Sequence, residues 1–150
     1  PLVGNDFTGW QIYHSEEYGF EIQYPPHYEI HEEWWQEGSP TADLRAILVR
    51  PIAGNPSSSP VISLYSSAGT LEETYQLIGE AKDPNVTKGP TDLNGLSAYF
   101  YEYENEVGGQ SKEIMVPLPT EFQSGKTLIL LVMNTSLELE QILSTFRFLD

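Results

Sequence analysis

Apolar and polar residues alternate along much of the chain, and this alternation predicts β-strands. The clearest case is the segment 18–25, where aromatic and aliphatic side chains recur at every second position until Pro25 ends the run. Alternate side chains of a strand point to the same face, so the segment predicts a half-buried strand. The same reasoning predicts further strands over residues 10–13, 28–35, 44–49, 61–66, 86–93, 96–103, 112–118, 127–133 and 146–148.

Turn residues and one apolar run predict how these strands are connected and which of them is central. Asn94-Gly95 predicts a tight hairpin turn because both residues tolerate a positive φ, and Gly108-Gly109 predicts a second such turn. The segment 127–133 is apolar without interruption, which is typical of a central strand covered on both faces. Successive hairpins favour a mainly antiparallel sheet.

Two segments carry the spacing of amphipathic helices, each behind a capping box. Thr70 and Glu73 form the first box, and Asp83-Pro84 ends the helix that follows. Thr135 and Glu138 form the second box. The apolar faces behind the boxes are Leu71, Thr74, Tyr75, Ile78 and Ala81, and then Leu139, Ile142, Leu143 and Phe146. Together the elements predict an α+β protein, a mainly antiparallel β-sheet with covering helices in an α/β/α sandwich.

Three segments carry a resemblance to a known family. Trp10 with Tyr13, the strand beginning Tyr18-Gly19-Phe20, and the final Phe146-x-Phe148 resemble the PsbP-like domain over nearly the whole chain. The resemblance implies one domain spanning 1–150 and a noncatalytic role, since members mostly dock to a larger assembly such as a photosystem or a small GTPase. Bacterial members look like lipoprotein domains, which implies an extracytoplasmic, lipid-anchored location. No binding residue transfers from this resemblance.

The net charge of the chain indicates which classes of partner it can bind. The chain has 22 acidic residues against 7 Lys and Arg, a formal net charge of −15. Such a chain repels nucleic acid and anionic lipid and attracts cations or basic protein patches, so we expect a protein partner and no nucleic acid. Photosystem members use basic patches, and this acidic chain departs from them. The sequence has no apolar run of roughly 18 residues, so no direct membrane insertion of the domain is expected.

One polar strand face offers metal ligands. His27, Glu29 and His31 alternate and share a face, and imidazole with carboxylate can bind a divalent cation. The two histidines lie about 13 Å apart on an extended strand, so only neighbouring pairs could share an ion. The alternative is a solvated polar face. No other cofactor is predicted.

Aromatic residues offer candidate partner contacts. Tyr99, Tyr101 and Tyr103 share one strand face, and adjacent Trp34 and Trp35 must point to opposite faces if extended. Tyrosine and tryptophan are enriched at protein interfaces. The alternative is that helices cover these rings, because large aromatic residues are usually buried.

The sequence contains no complete catalytic motif of the kinds considered. Gly125-Lys126-Thr127 resembles the end of a phosphate-binding loop, but Thr120 stands where glycine is required and a strand follows in place of a helix. Zero cysteines exclude thiolate catalysis, and no Gly-x-Ser-x-Gly motif occurs. We therefore expect a noncatalytic extracytoplasmic binding or assembly module and not an enzyme. The alternatives are a divalent-cation binding protein and a hydrolase built from carboxylates such as Glu102 and Glu104.

Overall fold

The computed structural model describes residues 7–35, 44–53, 59–67, 71–73, 75–76, 86–104, 108–118 and 127–149. The strands are β1 (Gln11–Ser15), β2 (Phe20–Tyr24), β3 (Tyr28–Trp35), β4 (Leu44–Pro51), β5 (Val61–Ser67), β6 (Thr87–Leu93), β7 (Leu96–Glu104), β8 (Gln110–Pro117), β9 (Thr127–Met133) and β10 (Arg147–Phe148). Residues 71–73 and 75–76 are helical and are called α1, and Leu137–Leu143 form α2. The predicted α+β class and the order of its elements are confirmed.

The described strands form two antiparallel sheets. The large sheet has the order β3-β4-β5-β9-β8-β7-β6, and the small sheet has the order β1-β2-β10. The sequence predicted the strands but did not separate a second sheet, because alternation shows which face of a strand is buried and not which strand is its neighbour. The predicted central strand, β9, does lie between two neighbours and is mostly buried.

The main core lies between the small sheet with α2 and one face of the large sheet, which we call the inner face. Phe20 of β2 packs against Phe146, with ring centroids 5.4 Å apart. Two of the three segments that carried the family resemblance therefore meet in the core. Burying each large apolar side chain contributes roughly 1.5–3 kcal/mol relative to an exposed position. Other fully buried members of this cluster are Ile22, Ile47, Ile62, Leu64, Leu128, Leu130 and Leu139.

Helix α2 begins one residue later than its capping box predicted. The N-cap is Ser136, whose Oγ accepts a hydrogen bond from the Leu139 amide at 3.2 Å. Thr135 instead donates its amide to the Gln110 carbonyl at 2.9 Å, which holds it at the end of β9. The apolar face of α2 is buried as predicted, at Leu139, Ile142 and Leu143. The cap at Thr70 and the end of the first helix lie outside the described residues.

The two predicted hairpin turns differ. Asn94 and Gly95 have φ values of +52° and +91° and join β6 to β7 in a two-residue turn, as predicted. Glu104 pairs with Gln110, so five residues separate β7 from β8 and the second connection is a longer loop, not a two-residue turn. Gly108 has a φ of +85° there. Within the described residues, no helix is long and apolar enough to cross a membrane.

Candidate functional site

The large sheet has a second face, opposite the main core, which we call the outer face. Strand alternation places Tyr99, Tyr101 and Tyr103 of β7 on this face, and cross-strand pairing places Glu113 of β8 directly opposite Tyr101. A smaller apolar cluster of Tyr101, Met115 and Ile129 lies here, with Leu71 and Tyr75 of α1 packed against it.

Helix α1 covers part of the predicted tyrosine platform. Tyr75 stacks on Tyr99 with centroids 4.3 Å apart and on Tyr101 with centroids 5.0 Å apart. The Tyr101 hydroxyl donates to the Tyr75 carbonyl, and Tyr101 is only 1% exposed. Tyr101 is therefore not accessible to a partner in this structure. Tyr99 and Tyr103 are half-buried, and their partner role stays a prediction.

A groove of about 380 Å³ lies on the outer face toward the other edge of the sheet. We call it the outer groove. None of its lining residues belongs to α1, and its apolar side chains include half-buried Leu48 and Val61 and exposed Ile52. Ile52 is held by its backbone, because its amide donates to the His27 carbonyl at 3.0 Å. The full lining is Glu29, Glu33, Leu48, Arg50, Pro51, Ile52, Ser59 and Val61.

The polar side chains beside the outer groove are paired. Glu29 and Arg50 lie opposite each other in the β3–β4 register, and Arg50 Nε donates to Glu29 Oε2 at 2.9 Å. His31 Nε2 lies 3.3 Å from Glu33 Oε1 on the same strand face. All four side chains are partly exposed, so these pairs add little to stability. They instead give the groove a polar rim of both signs.

His27 lies in the turn before β3 and contacts α2 rather than the rest of the predicted metal face. Its Nε2 is 2.7 Å from Glu138 Oε2, and its ring lies edge-on to Tyr28 with centroids 5.2 Å apart. Burial and, secondarily, the Glu138 charge raise the pKa of the buried Tyr28 hydroxyl well above its usual range. His27 and Glu138 thus connect this turn to the first turn of α2.

The three predicted metal ligands have three different partners. His27 faces Glu138, Glu29 faces Arg50, and His31 faces Glu33. Over the described part of the chain, no group of three or more His, Cys, Asp or Glu side chains is placed to hold a metal ion. A cation bound by two of these residues would displace at least one of these contacts, and such a site stays a prediction.

Trp34 and Trp35 end β3. Their backbones pair with Arg45 and Leu44, at the far end of the hairpin from the Glu29–Arg50 pair. Their side chains lie outside the described residues, and so does the connection from residue 36 to residue 43. Their predicted partner role is therefore untested.

Two acidic side chains of the described residues are buried, and they differ in environment. Glu21 of β2 is flanked in register by His14 of β1 and Arg147 of β10. Arg147 Nε donates to Glu21 Oε1, and His14 Nε2 lies 2.7 Å from Glu21 Oε2. The hydrogen bond from Arg147 is the main cause that lowers the pKa of Glu21, against an opposing effect of burial. A carboxyl held ionised in this way is unsuited to act as a general acid.

Glu113 is the second buried acid and lies on the outer face. Burial is the main cause that raises the pKa of the neighbouring Tyr65 hydroxyl, and the charge of Glu113 adds to it. Burial is also the main cause that raises the pKa of Tyr101, with smaller effects from Tyr75 and then from the charge of Glu113. Glu113 and its tyrosines therefore form a polar layer under the outer face.

Sequence reasoning missed Arg50 and Ile52. Neither residue belongs to a motif, and each becomes part of a groove only through the register that aligns Pro51 with Tyr28. The alternation of Glu29 with apolar Tyr28 and Ile30 could have predicted that the β3 side of the groove is polar. The β4 side of the groove could be placed only once the pairing of β4 with β3 was known.

Solved structures share this architecture. The solution structure of cyanobacterial PsbP (CyanoP) from Synechocystis sp. PCC 6803 aligns with 99% of this chain and 97% of its own, with a TM-score of 0.57 and 16% sequence identity. The chain has a PsbP-like fold. The resemblance noted in its sequence is thereby confirmed at the level of the fold.

A second solved structure that resembles this chain in fold comes from another bacterium. A crystal structure from Bacteroides thetaiotaomicron VPI-5482 aligns with 95% of this chain, with a TM-score of 0.52 and 12% identity, and this chain spans 49% of that one. No protein-family model and no curated protein sequence matches the chain. At these identities the likeness concerns the PsbP-like fold alone.

Proposed function

We propose that this chain is a noncatalytic, extracytoplasmic binding or assembly module that docks a protein partner through the outer groove. One observation supports the proposal most directly: exposed Ile52 stands beside half-buried Leu48 and Val61, within a rim of paired charges. Apolar centres with polar rims are typical of protein interfaces. The docking role implied by the PsbP-like fold agrees with this proposal.

The chemistry of the groove favours binding over catalysis. Its two acids, Glu29 and Glu33, are partly exposed, and each has a basic neighbour. A hydrolytic pair needs one carboxyl desolvated enough to keep its proton. The groove therefore offers a partner contact area and charge matching rather than a proton donor.

Photo-crosslinking tests the docking surface. A photoreactive amino acid replaces Ile52 in the native host, and a matched variant replaces Ile12, which lies on β1 of the other sheet. The two isoleucines are similarly exposed, at 61% and 56%. We expect one discrete partner to crosslink from position 52 and not from position 12.

Surface substitutions complete the test. Ile52→Ser should weaken partner capture, whereas Ile12→Ser should leave it unchanged, and both variants should keep the thermal stability of the parent because each site is exposed. Equal crosslinking from both positions would argue against the groove. Turnover of a substrate that is lost on replacing one acid would overturn the noncatalytic role.

The location is tested separately. We expect added protease to cleave the protein in intact cells or after the outer envelope alone is made permeable, while a cytoplasmic control protein stays intact. Protection that ends only when the cytoplasmic membrane is lysed would place the module in the cytoplasm and remove the extracytoplasmic part of the proposal.

A further inference from the structure

A second pocket lies on the inner face, at the corner where α2 crosses β6, β7 and β8. We call it the corner pocket, and its volume is about 250 Å³. Its floor is apolar and includes Phe100, Ile114 and Leu143. Ile114 and Leu143 are buried, whereas Phe100 is only half-buried. The floor is thus continuous with the main core but open at Phe100.

The cross-strand neighbour of Phe100 on β6 is Gly89, which has no side chain to place over the ring. A methyl group added at Gly89 would lie 3.8 Å from Phe100 Cε1, an ordinary contact distance. Glycine therefore has no side chain to cover this part of the Phe100 ring. An exposed aromatic surface beside a cavity is a common anchor for a ligand side chain.

The rim of the corner pocket is predominantly acidic. Lys112 Nζ lies 3.3 Å from Glu140 Oε1, so those two charges offset each other. Glu102 lies opposite Lys112 in the β7–β8 register, and its carboxylate forms no ion pair among the described residues. Asp92 also lines the pocket and accepts a hydrogen bond from the Gly95 amide at 3.0 Å. Strand alternation places the Asp92 side chain on the other face of β6, so the rim charges are those of Glu102 and Glu140 against Lys112, a net charge of −1.

We propose that the corner pocket binds an arginine side chain of a partner protein. The apolar floor suits the aliphatic stem, the Phe100 ring suits the planar guanidinium, and Glu102 supplies a carboxylate for it. Lysine fits less well, because an ammonium has no planar face to stack on a ring and cannot form a forked pair with a carboxylate. The overall charge of −15 draws such a basic segment toward the chain.

Strand addition is a different way to use this corner, and the sequence disfavours it. Strand β6 is the edge of the large sheet, but it contains Pro90, which has no amide hydrogen to donate. A partner is therefore better recognised by a side chain in the pocket than by its backbone along β6.

The corner pocket and the outer groove lie on opposite faces of the large sheet. This inference therefore does not depend on the groove as the docking surface. The crosslinking test at Ile52 and the test below can fail independently of each other.

The test is an NMR titration of the ¹⁵N-labelled chain with a capped Gly-Arg-Gly peptide. Matched probes carry lysine or the neutral isostere citrulline at the centre. We expect saturable shifts confined to amides around the pocket, including Phe100, Lys112 and Leu143. The arginine peptide should bind at about millimolar strength, more tightly than the lysine peptide, and the citrulline peptide should not saturate.

Three variants decide the assignment. Glu102→Gln should weaken the arginine peptide roughly two- to fivefold, as expected for one exposed ion pair. Glu72→Gln makes the same charge change on exposed α1 over the outer face and should have no effect. Phe100→Leu should reduce the preference for arginine over lysine, and its thermal stability is measured to confirm folding.

Several results would overturn the proposal. Equal binding of the citrulline peptide, shifts unaltered by Glu102→Gln, or equal losses in Glu102→Gln and Glu72→Gln would show nonspecific attraction. Shifts restricted to β6 would indicate strand addition instead. No saturable shift up to about 10 mM peptide would also reject the site.

Discussion

Asn94 makes two kinds of contribution to stability, and they can be separated by substitution. Its backbone has a φ of +52° in the β6–β7 turn. Its side-chain Nδ2 donates to the Leu143 carbonyl at 2.9 Å and to the Phe146 carbonyl at 2.8 Å. The last carbonyls of a helix have no partner within the helix, so Asn94 both forms the turn and caps the end of α2.

The magnitudes follow from these contacts. A neutral hydrogen bond contributes about 1 kcal/mol net, and Asn94 is exposed, so losing both bonds should cost about 1–2 kcal/mol. Asn94→Gly loses the bonds but keeps the positive φ. Asn94→Ala should cost about 1 kcal/mol more, because alanine is strained in the left-handed region. Asn94→Asp should be the most destabilising at neutral pH, since a carboxylate would face two carbonyl oxygens at the negative end of a helix dipole.

Urea unfolding followed by tryptophan fluorescence measures these differences. With a slope of about 2 kcal/mol per molar urea, the glycine variant should shift the midpoint by roughly 0.5–1 M. Gly108→Ala is the control for backbone strain alone, because Gly108 has a φ of +85° and an added methyl would meet no atom within 4 Å. If Asn94→Gly matches the parent while Asn94→Ala and Gly108→Ala lose equal stability, the side chain does not cap α2 and the reasoning fails.

Three further predictions concern other contacts. The folded pKa of Glu21 lies below its ordinary value of 4.5, so its ion pair is fully stabilising above that pH and is lost as pH falls through the folded pKa. Glu21→Gln should therefore flatten the decline in unfolding free energy below about pH 5. An unchanged acid profile would contradict this. Ser136→Ala should cost about 1 kcal/mol in thermal unfolding and Thr135→Ala clearly less, whereas the reverse order would restore Thr135 as the cap. Tyr101→Phe removes the hydroxyl that bonds the Tyr75 carbonyl, so hydrogen exchange should accelerate in α1 while β7 stays protected; unchanged exchange would show that ring stacking alone holds the helix.

Some features of the candidate sites followed from local pattern and others did not. The alternation around Phe20 predicted its burial, and Asn94-Gly95 predicted the turn, because both signals depend only on neighbours in sequence. The capping box placed α2 correctly to within one residue. Threonine and serine are both good caps, so the local sequence does not decide between Thr135 and Ser136; the hydrogen bond from the Leu139 amide to Ser136 Oγ identifies Ser136.

The two proposed binding surfaces were beyond sequence reasoning. The outer groove depends on the register that places Arg50 opposite Glu29, and the corner pocket depends on Gly89 lying opposite Phe100. Strand register is set by long-range packing, and a shift of one residue would send each of these side chains to the other face.

The sequence by itself determined the class of fold, the burial of its strands and the sign of its charge, since period, composition and turn residues are local or additive properties. Tertiary structure decided that the first and last segments share a small sheet, that Tyr101 is covered, and that acids lie beside open apolar surface at two separate places. Those outcomes require residues far apart in sequence to meet, and pairwise packing across the sheet is the physical step that no single stretch of sequence encodes.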